Sequence, residues 1–213
     1  MKLYDNFIFR GLSRFLDMAI VSLTWLALCV PIFTIGAANT ALYYVSYKTI
    51  RYERGYAFRG LLSSFAKNFK QATILGLLFT LIFGCLGFDV YILMLYASMG
   101  RNVAWYQVGI YALIIVALAW SFYVFPYVAR FQNTTKQVLK NTIFIMLGNP
   151  GPTILLFVFF TFMCLGIYMY TPAIIVIPVL YNYFNSLVLE KVFRKYMTQE
   201  QIELEKEKNG DYR

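Results

Sequence analysis

Three long uncharged stretches constrain this chain more than any other feature of its sequence. Residues 18–47, 102–129 and 141–189 contain no Asp, Glu, Lys or Arg over 30, 28 and 49 positions respectively. A helix that crosses the hydrocarbon core of a bilayer needs about 20 predominantly apolar residues. Only 14% of the chain is charged, against about 25% in a typical soluble domain. The sequence therefore predicts an all-α polytopic membrane protein and excludes a coiled coil, a disordered chain and an ordinary soluble enzyme.

The apolar runs divide into about six hydrophobic helices that form one transmembrane domain over residues 1–195. We predict these helices at residues 15–33, 36–51, 71–96, 104–129, 153–170 and 173–189. The last two are separate because one helix over 153–189 would measure about 55 Å, far more than a bilayer core. The second predicted helix rises only about 24 Å, so it is tilted or re-entrant. Residues 196–213 are predicted to form a charged cytoplasmic tail.

The distribution of basic residues orients the predicted helices. Cytoplasmic loops of membrane proteins carry an excess of Lys and Arg. If both termini are cytoplasmic, 18 of the 19 basic residues lie inside and only Arg101 lies outside. Five spans with an external N-terminus would place Lys2, Arg10 and Arg14 outside, so six spans are favoured and five are the alternative.

Basic residues also mark a candidate cytoplasmic surface, which we expect to attract anionic lipid. This surface consists of Arg51, Arg54, Arg59, Lys67, Lys70, Arg130, Lys136 and Lys140. Apolar residues in 61–69 recur at helical spacing, which predicts a short helix lying in the membrane interface. Residues 130–148 predict another short helix, stopped by the sequence GNPGP. The charged residues from 190 onward are expected to be solvated.

The connection between the first two helices is predicted to be a tight turn at the membrane surface. Gly36 is expected to need a positive φ there, which glycine adopts without steric cost. Ala37 and Ala41 are four residues apart and would let another helix approach closely. The candidate packing motif consists of Pro31, Thr34, Gly36, Ala37, Asn39, Thr40 and Ala41. In the third helix, Gly76, Gly84 and Gly87 are likewise expected to pack against other helices of this chain.

The sequence indicates neither catalysis nor ion-coupled transport. It contains no His, which is the commonest general base and metal ligand. Charged residues are absent from the centres of the predicted spans, where ion-coupled transporters place them. The three Cys are far apart and are interpreted as apolar packing residues. We therefore expect a non-enzymatic protein with no catalytic residues, cofactor, metal site or nucleic-acid partner.

Uncharged polar residues inside the predicted spans leave two interpretations open. These residues are Thr34, Asn39, Thr40, Gln107, Asn182 and Asn185. They either bind a neutral solute such as a sugar or make hydrogen bonds between helices.

Three short runs carry a resemblance to a known family. They are residues 31–44 (PIFTIGAANTALYY), 53–56 (ERGY) and 68–73 (NFKQAT). With these runs the chain resembles the YesL family, integral membrane proteins of Gram-positive bacteria that are classed under a domain of unknown function. The resemblance implies a multi-span plasma-membrane protein, often encoded beside importers of oligosaccharides, and implies no agreed activity.

Two functions are consistent with these features. The first is an accessory or assembly subunit associated with an ATP-driven carbohydrate importer, whose membrane subunits would be its partners. The second is a stand-alone facilitator or channel for a small neutral solute such as a sugar. The sugar-import link is implied by the resemblance alone, and the oligomeric state and the solute stay open.

The predicted orientation can be tested by labelling single cysteines in a background without the three native ones. Cysteines at Arg101 and Thr171 should react with an impermeant thiol reagent added outside intact cells, because both lie in predicted external turns. Cysteines at Lys136 and Lys2 should react only after the membrane is permeabilised. External labelling at position 136 would reverse the orientation, and external labelling at position 2 alone would favour five spans.

Overall fold

The computed structural model describes residues 2–50, 57–200 and 202–203, with side chains from residue 16 to 48 in the first range. Within these residues the chain forms α-helices and no strand, so the predicted all-α bundle is confirmed. The helices are α1 (Lys2–Cys29), α2 (Ile35–Val45), α3 (Ala57–Ser98), α4 (Ala104–Arg130), α5 (Thr135–Gly148), α6 (Pro150–Met169) and α7 (Ile177–Arg194). A 3₁₀ turn, Ile32–Thr34, precedes α2, a π-helical turn, Ser46–Ile50, follows it, and the 3₁₀ turn Thr171–Ile175 precedes α7.

Three of these helices, α3, α4 and α6, are long and apolar enough to cross a membrane. The segment Leu16–Cys29 of α1 is a shorter apolar helix. Most side chains of the three long helices are not buried; in α6 the buried one is Leu156. A helix that is apolar on all sides needs lipid or other helices around it, so these helices fit a membrane protein. The number of spans and their orientation stay predictions.

α3 departs most from the prediction because it begins at Ala57 and not near residue 71. Its 42 residues rise about 63 Å. No Pro interrupts residues 57–98, so nothing ends the helix between the interfacial segment and the span. Leu61 is fully buried in a cluster with Val21, Leu42 and Val45 of α1 and α2. The prediction of a separate interfacial helix over 61–69 was therefore wrong, because these residues belong to the continuous helix α3. Leu61 packs inside the bundle, whereas Leu62 and Phe69 are exposed.

α2 is buried along most of its length and contacts α1, α3, α4 and α7. Eight of its 11 residues are buried, and they include Gly36, Ala37 and Ala41. Its rise is about 16 Å, about half the thickness of a hydrocarbon core. α2 is thus a short internal helix, and the π-helical turn Ser46–Ile50 continues it, so the predicted range 36–51 is helical over its described residues, 36–50.

The close contact between α2 and α3 is made at Gly36. This residue is helical, and among the described glycines the positive φ belongs to Gly100. The expected left-handed conformation of Gly36 was therefore wrong. A Cβ on Gly36 would overlap the carbonyl oxygen of Ala72 and would lie 2.8 Å from Gly76 Cα. Glycine is needed here because the two helix backbones leave no space for a side chain.

The turn between α1 and α2 lies partway along the bundle. Gly36 contacts Gly76, and α3 continues for 22 residues beyond Gly76, which corresponds to about 33 Å. The turn itself exposes Val30, Ile32 and Phe33. The tip of this first hairpin is therefore apolar and well short of the far end of α3.

Of the three glycines of α3 that were expected to pack within the chain, Gly76, Gly84 and Gly87, only Gly76 closely contacts another described helix. A Cβ on Gly84 or Gly87 would meet no described atom within 4 Å. The face of α3 at Gly84 and Gly87, here called the glycine face, is therefore open with respect to the described residues.

We predict that alanine has different effects on stability at Gly36 of α2 and at Gly84 of α3. Gly36→Ala should lower the unfolding temperature of the protein in mild detergent, because overpacking typically costs about 1–3 kcal/mol. Gly84→Ala should leave that temperature unchanged or raise it, since Ala is favoured over Gly in a helix by roughly 0.5–1 kcal/mol. Equal unfolding temperatures for Gly36→Ala and the wild type would contradict the close α2–α3 contact.

Candidate functional site

Glu190 on α7 is a buried carboxylate at the junction of three helices. Its side chain is 2% exposed. Arg130 Nε, at the end of α4, donates to Glu190 Oε2 at 3.1 Å. The Tyr43 hydroxyl of α2 donates to Glu190 Oε1 at 3.0 Å. The Arg130 guanidinium also lies over the ring of Tyr47, 4.8 Å from its centroid, so this charged junction ties α2, α4 and α7 together.

Two sequence predictions were wrong at this junction. Arg130 was assigned to the basic surface, but its side chain is only 14% exposed. Glu190 was assigned to a solvated tail, but it is inside the bundle. A buried charge is stable only when it is paired and hydrogen-bonded, and here each residue supplies the other's partner. The sequence did contain a sign of this pair. Arg130 and Glu190 are the first charged residues after the long uncharged stretches 102–129 and 141–189.

The rest of the predicted basic surface divides into described and undescribed residues. Arg59, Lys67, Lys70, Lys136 and Lys140 are exposed. Arg51 and Arg54 lie outside the described residues. The helix over 135–148 that carries Lys136 and Lys140 begins with a capping box, in which Thr134 and Gln137 satisfy each other's backbone N–H groups.

A cavity of about 230 Å³ lies between five helices, α1, α2, α4, α6 and α7. Its apolar wall includes the rings of Phe122, Phe125 and Phe160. Its polar lining consists of Trp25, Asn39, Ser121, Tyr181, Asn182 and Asn185. Small-molecule sites are typically concave and apolar with a few placed polar groups, and this cavity has that character.

Of the uncharged polar residues noted inside the predicted spans, the three asparagines line the cavity and the other three residues do not. Asn39, Asn182 and Asn185 come together around the cavity, although Asn39 is more than 140 positions from the other two. Thr34 and Thr40 lie elsewhere in the first hairpin, and their hydroxyls donate to the carbonyl oxygens of Pro31 (2.6 Å) and Gly36 (2.9 Å). Gln107 is on α4 and does not line the cavity.

The three cavity asparagines are unequally satisfied. Asn39 Oδ1 accepts a hydrogen bond from Trp25 Nε1 at 3.0 Å, which joins α1 and α2. Asn182 Nδ2 donates to the carbonyl oxygen of Pro178 at 3.0 Å. Asn185 Oδ1 is buried and has no hydrogen-bond donor among the described residues. A hydrogen bond between helices therefore explains Asn39. The side-chain oxygen of Asn185 stays available to a molecule in the cavity.

The described residues contain no group of three or more His, Cys, Asp or Glu side chains that could hold a metal ion. The cavity lining is uncharged throughout. The arrangement is thus one that can bind a neutral molecule, and the charged junction is one that can hold three helices in place.

Comparison with known families assigns part of the chain. Residues 18–90 match the family described as "Protein of unknown function, DUF624". No curated protein matches the chain, and no solved structure matches it. The DUF624 segment, about a third of the chain, contains α2 and the Gly36–Gly76 contact. Arg130, Glu190 and most of the cavity lining lie beyond it, so the match covers the helix contact and not the charged junction.

The charged junction should show strong coupling between its two charges. Arg130→Met and Glu190→Leu should each lower the free energy of unfolding by about 3–5 kcal/mol, because each removes the opposite charge from a buried ion pair. The double variant should lose less than the sum of the two single losses. Unfolding in detergent measures all three variants, with Lys136→Met as an exposed control that should change little. Additive losses would show that the two charges do not stabilise each other.

Proposed function

We propose that the protein is a YesL-like integral membrane subunit that assists or assembles an ATP-driven carbohydrate importer in the bacterial plasma membrane. It acts without catalysis of its own and has both termini in the cytoplasm. The observation that carries the proposal is the unoccupied glycine face of α3, which fits a helix of another membrane protein. The link to carbohydrate import rests on the family resemblance.

The glycine face is continuous with a contact already present in the fold. Gly76 and Gly87 are 11 residues apart, about three helical turns, and therefore lie on the same side of α3. At Gly76 this side is covered by α2. At Gly84 and Gly87 it is open, although small residues in membrane helices characteristically let a second helix approach. A helix of a partner protein could pack against α3 at Gly84 and Gly87. It would cover the part of this side that α2, which ends its contact near Gly76, leaves open.

The neighbouring helix α4 is similarly uncovered over its first half. Trp105, Tyr106, Val108 and Leu113 are all exposed. A Cβ on Gly109 would also meet no described atom within 4 Å. The α3–α4 hairpin thus offers exposed apolar surface on both of its arms among the described residues.

The exposed basic residues support attachment to the inner leaflet. Lys67 and Lys70 on α3 and Lys136 and Lys140 on α5 are solvent-accessible. Basic residues next to a membrane attract anionic lipid by about 1 kcal/mol each. This attraction would hold α5 and the start of α3 on the cytoplasmic side, where an importer's ATPase also binds.

The second candidate function is a facilitator for a small neutral solute, and the polar cavity favours it. Uncharged asparagines and aromatic rings would bind a sugar or polyol. A facilitator would need that cavity to open in turn to both sides of the membrane, and it would need no partner protein.

The accessory proposal predicts co-purification with the membrane subunits of a sugar importer. The tagged protein should be isolated from its host in mild detergent, and the co-eluting proteins identified by mass spectrometry. The variant Gly84→Leu/Gly87→Leu should lose these subunits, because the added side chains fill a face on which a Cβ meets no described atom within 4 Å. Cys85→Leu is the matched control, since residue 85 is also exposed but points about 100° away around the helix.

Deletion of the gene should lower oligosaccharide uptake and leave the importer's own ATPase activity intact. Absence of importer subunits in the wild-type purification would refute the accessory role. Sugar flux through the pure protein in liposomes would establish the facilitator in its place. If the double leucine variant still co-purifies with the importer subunits, these subunits do not bind at the glycine face of α3.

A further inference from the structure

We infer that the cavity between α1, α2, α4, α6 and α7 is a binding site for one small, neutral, polyhydroxylated molecule. This inference rests on the cavity of the second candidate function and deepens it by naming the ligand class. It concerns binding by the isolated chain, so it can fail or hold whether or not the protein assists an importer or transports a solute.

The observation that points to a ligand is the unpartnered amide oxygen of Asn185. This residue is 4% exposed, and its Oδ1 atom has no hydrogen-bond donor among the described residues. Leaving a buried acceptor unpaired is costly, so each such atom in a native protein requires an explanation. Three other buried hydroxyl oxygens share this property, those of Ser22, Ser46 and Thr73, but they do not line the cavity. A donor on a bound molecule would satisfy Asn185.

The remaining polar groups of the cavity offer both acceptors and a donor. Asn182 uses its Nδ2 group on Pro178, so its Oδ1 atom is left to accept from a ligand. Asn39 uses its Oδ1 atom on Trp25, so its Nδ2 group is left to donate. Pro126 has no N–H, so the carbonyl oxygen of Phe122, four residues earlier, loses its helical partner and becomes another acceptor. A molecule that both donates and accepts hydrogen bonds fits this set, and hydroxyl groups do both.

The charge and shape of the lining narrow the ligand class further. The 14 lining residues include no Asp, Glu, Lys, Arg or His, and burying an unpaired charge costs several kcal/mol. The ligand is therefore neutral. Phe122, Phe125 and Phe160 supply apolar faces that suit the C–H groups of a polyol. The cavity volume of about 230 Å³ equals the space of roughly eight waters at about 30 Å³ each, which is the size range from glycerol to a single sugar ring.

The competing explanation is that the cavity holds ordered water alone. Buried waters commonly satisfy polar groups of this kind. The two explanations differ in whether a polyol binds with defined stoichiometry and whether Asn185 controls that binding. Thermal stabilisation would not separate them, because polyols stabilise proteins generally by exclusion from their surface.

Equilibrium dialysis of the purified full-length protein in lipid nanodiscs provides the test. The probes are radiolabelled glycerol, erythritol, xylitol and glucose, with glycerol 3-phosphate as the charged counterpart. We expect saturable binding of at least one neutral probe at one molecule per chain, and no binding of the phosphate. Empty nanodiscs and nanodiscs carrying a different membrane protein give the background.

Asn185→Leu should weaken the binding roughly tenfold, as expected for loss of a buried hydrogen bond. The variant should fold, because it removes a buried acceptor that has no donor among the described residues. Leu118→Phe, which reduces the volume from the α4 side, should also weaken binding, and Asn102→Leu, an exposed asparagine outside the cavity, should leave it unchanged. Failure of every neutral probe to bind would overturn the inference and leave a water-filled cavity. Full binding by Asn185→Leu would also overturn it, because the probe would then bind at a site that Asn185 does not control.

Discussion

The backbone contact between Gly36 and the Ala72–Gly76 segment is the constraint on which the rest of the bundle depends. Because a side chain is excluded there, α2 lies against α3 closely enough to be surrounded by other helices. From that position α2 presents Asn39 to the cavity and Tyr43 to Glu190. A shift of α2 by a methyl group's width would disturb both, since packed interiors transmit strain and do not absorb it.

The charged junction and the cavity share α2, and they also share the two helices that carry the ion pair, α4 and α7. α7 carries Asn185 and Glu190 five residues apart, and α4 carries Phe122 and Arg130 eight residues apart. The ion pair therefore fixes the ends of the two helices whose preceding turns form the cavity wall. Buried pairs of this kind add little net stability, and their better-attested role is to specify one arrangement of the elements that hold them.

The sequence was sufficient for the helical class and for most helix positions, because long uncharged runs leave few alternatives. α4 and the break before α7 were predicted closely, since Arg130 and Pro172 mark those ends. The start of α3 was missed because the amphipathic pattern of 61–69 is the same whether its apolar side meets lipid or α2. Likewise, residue type alone could not tell that Gly36 was required for space and not for its φ. The cavity could not be predicted, because Asn39, Asn182 and Asn185 are brought together only by the tertiary packing of α1, α2 and α7.

Because the first hairpin is short, the number of membrane crossings can change without any change in the compartment of the other loops. A hairpin that turns beside Gly76 and a hairpin that turns at the far surface both return the chain to the side from which it came. The parity of the crossings is thus the same for four spans and for six, and the excess of basic residues is satisfied equally by either. In a chain of this design, lengthening or shortening α1 and α2 together would add or remove two crossings, while every other loop would stay in its compartment.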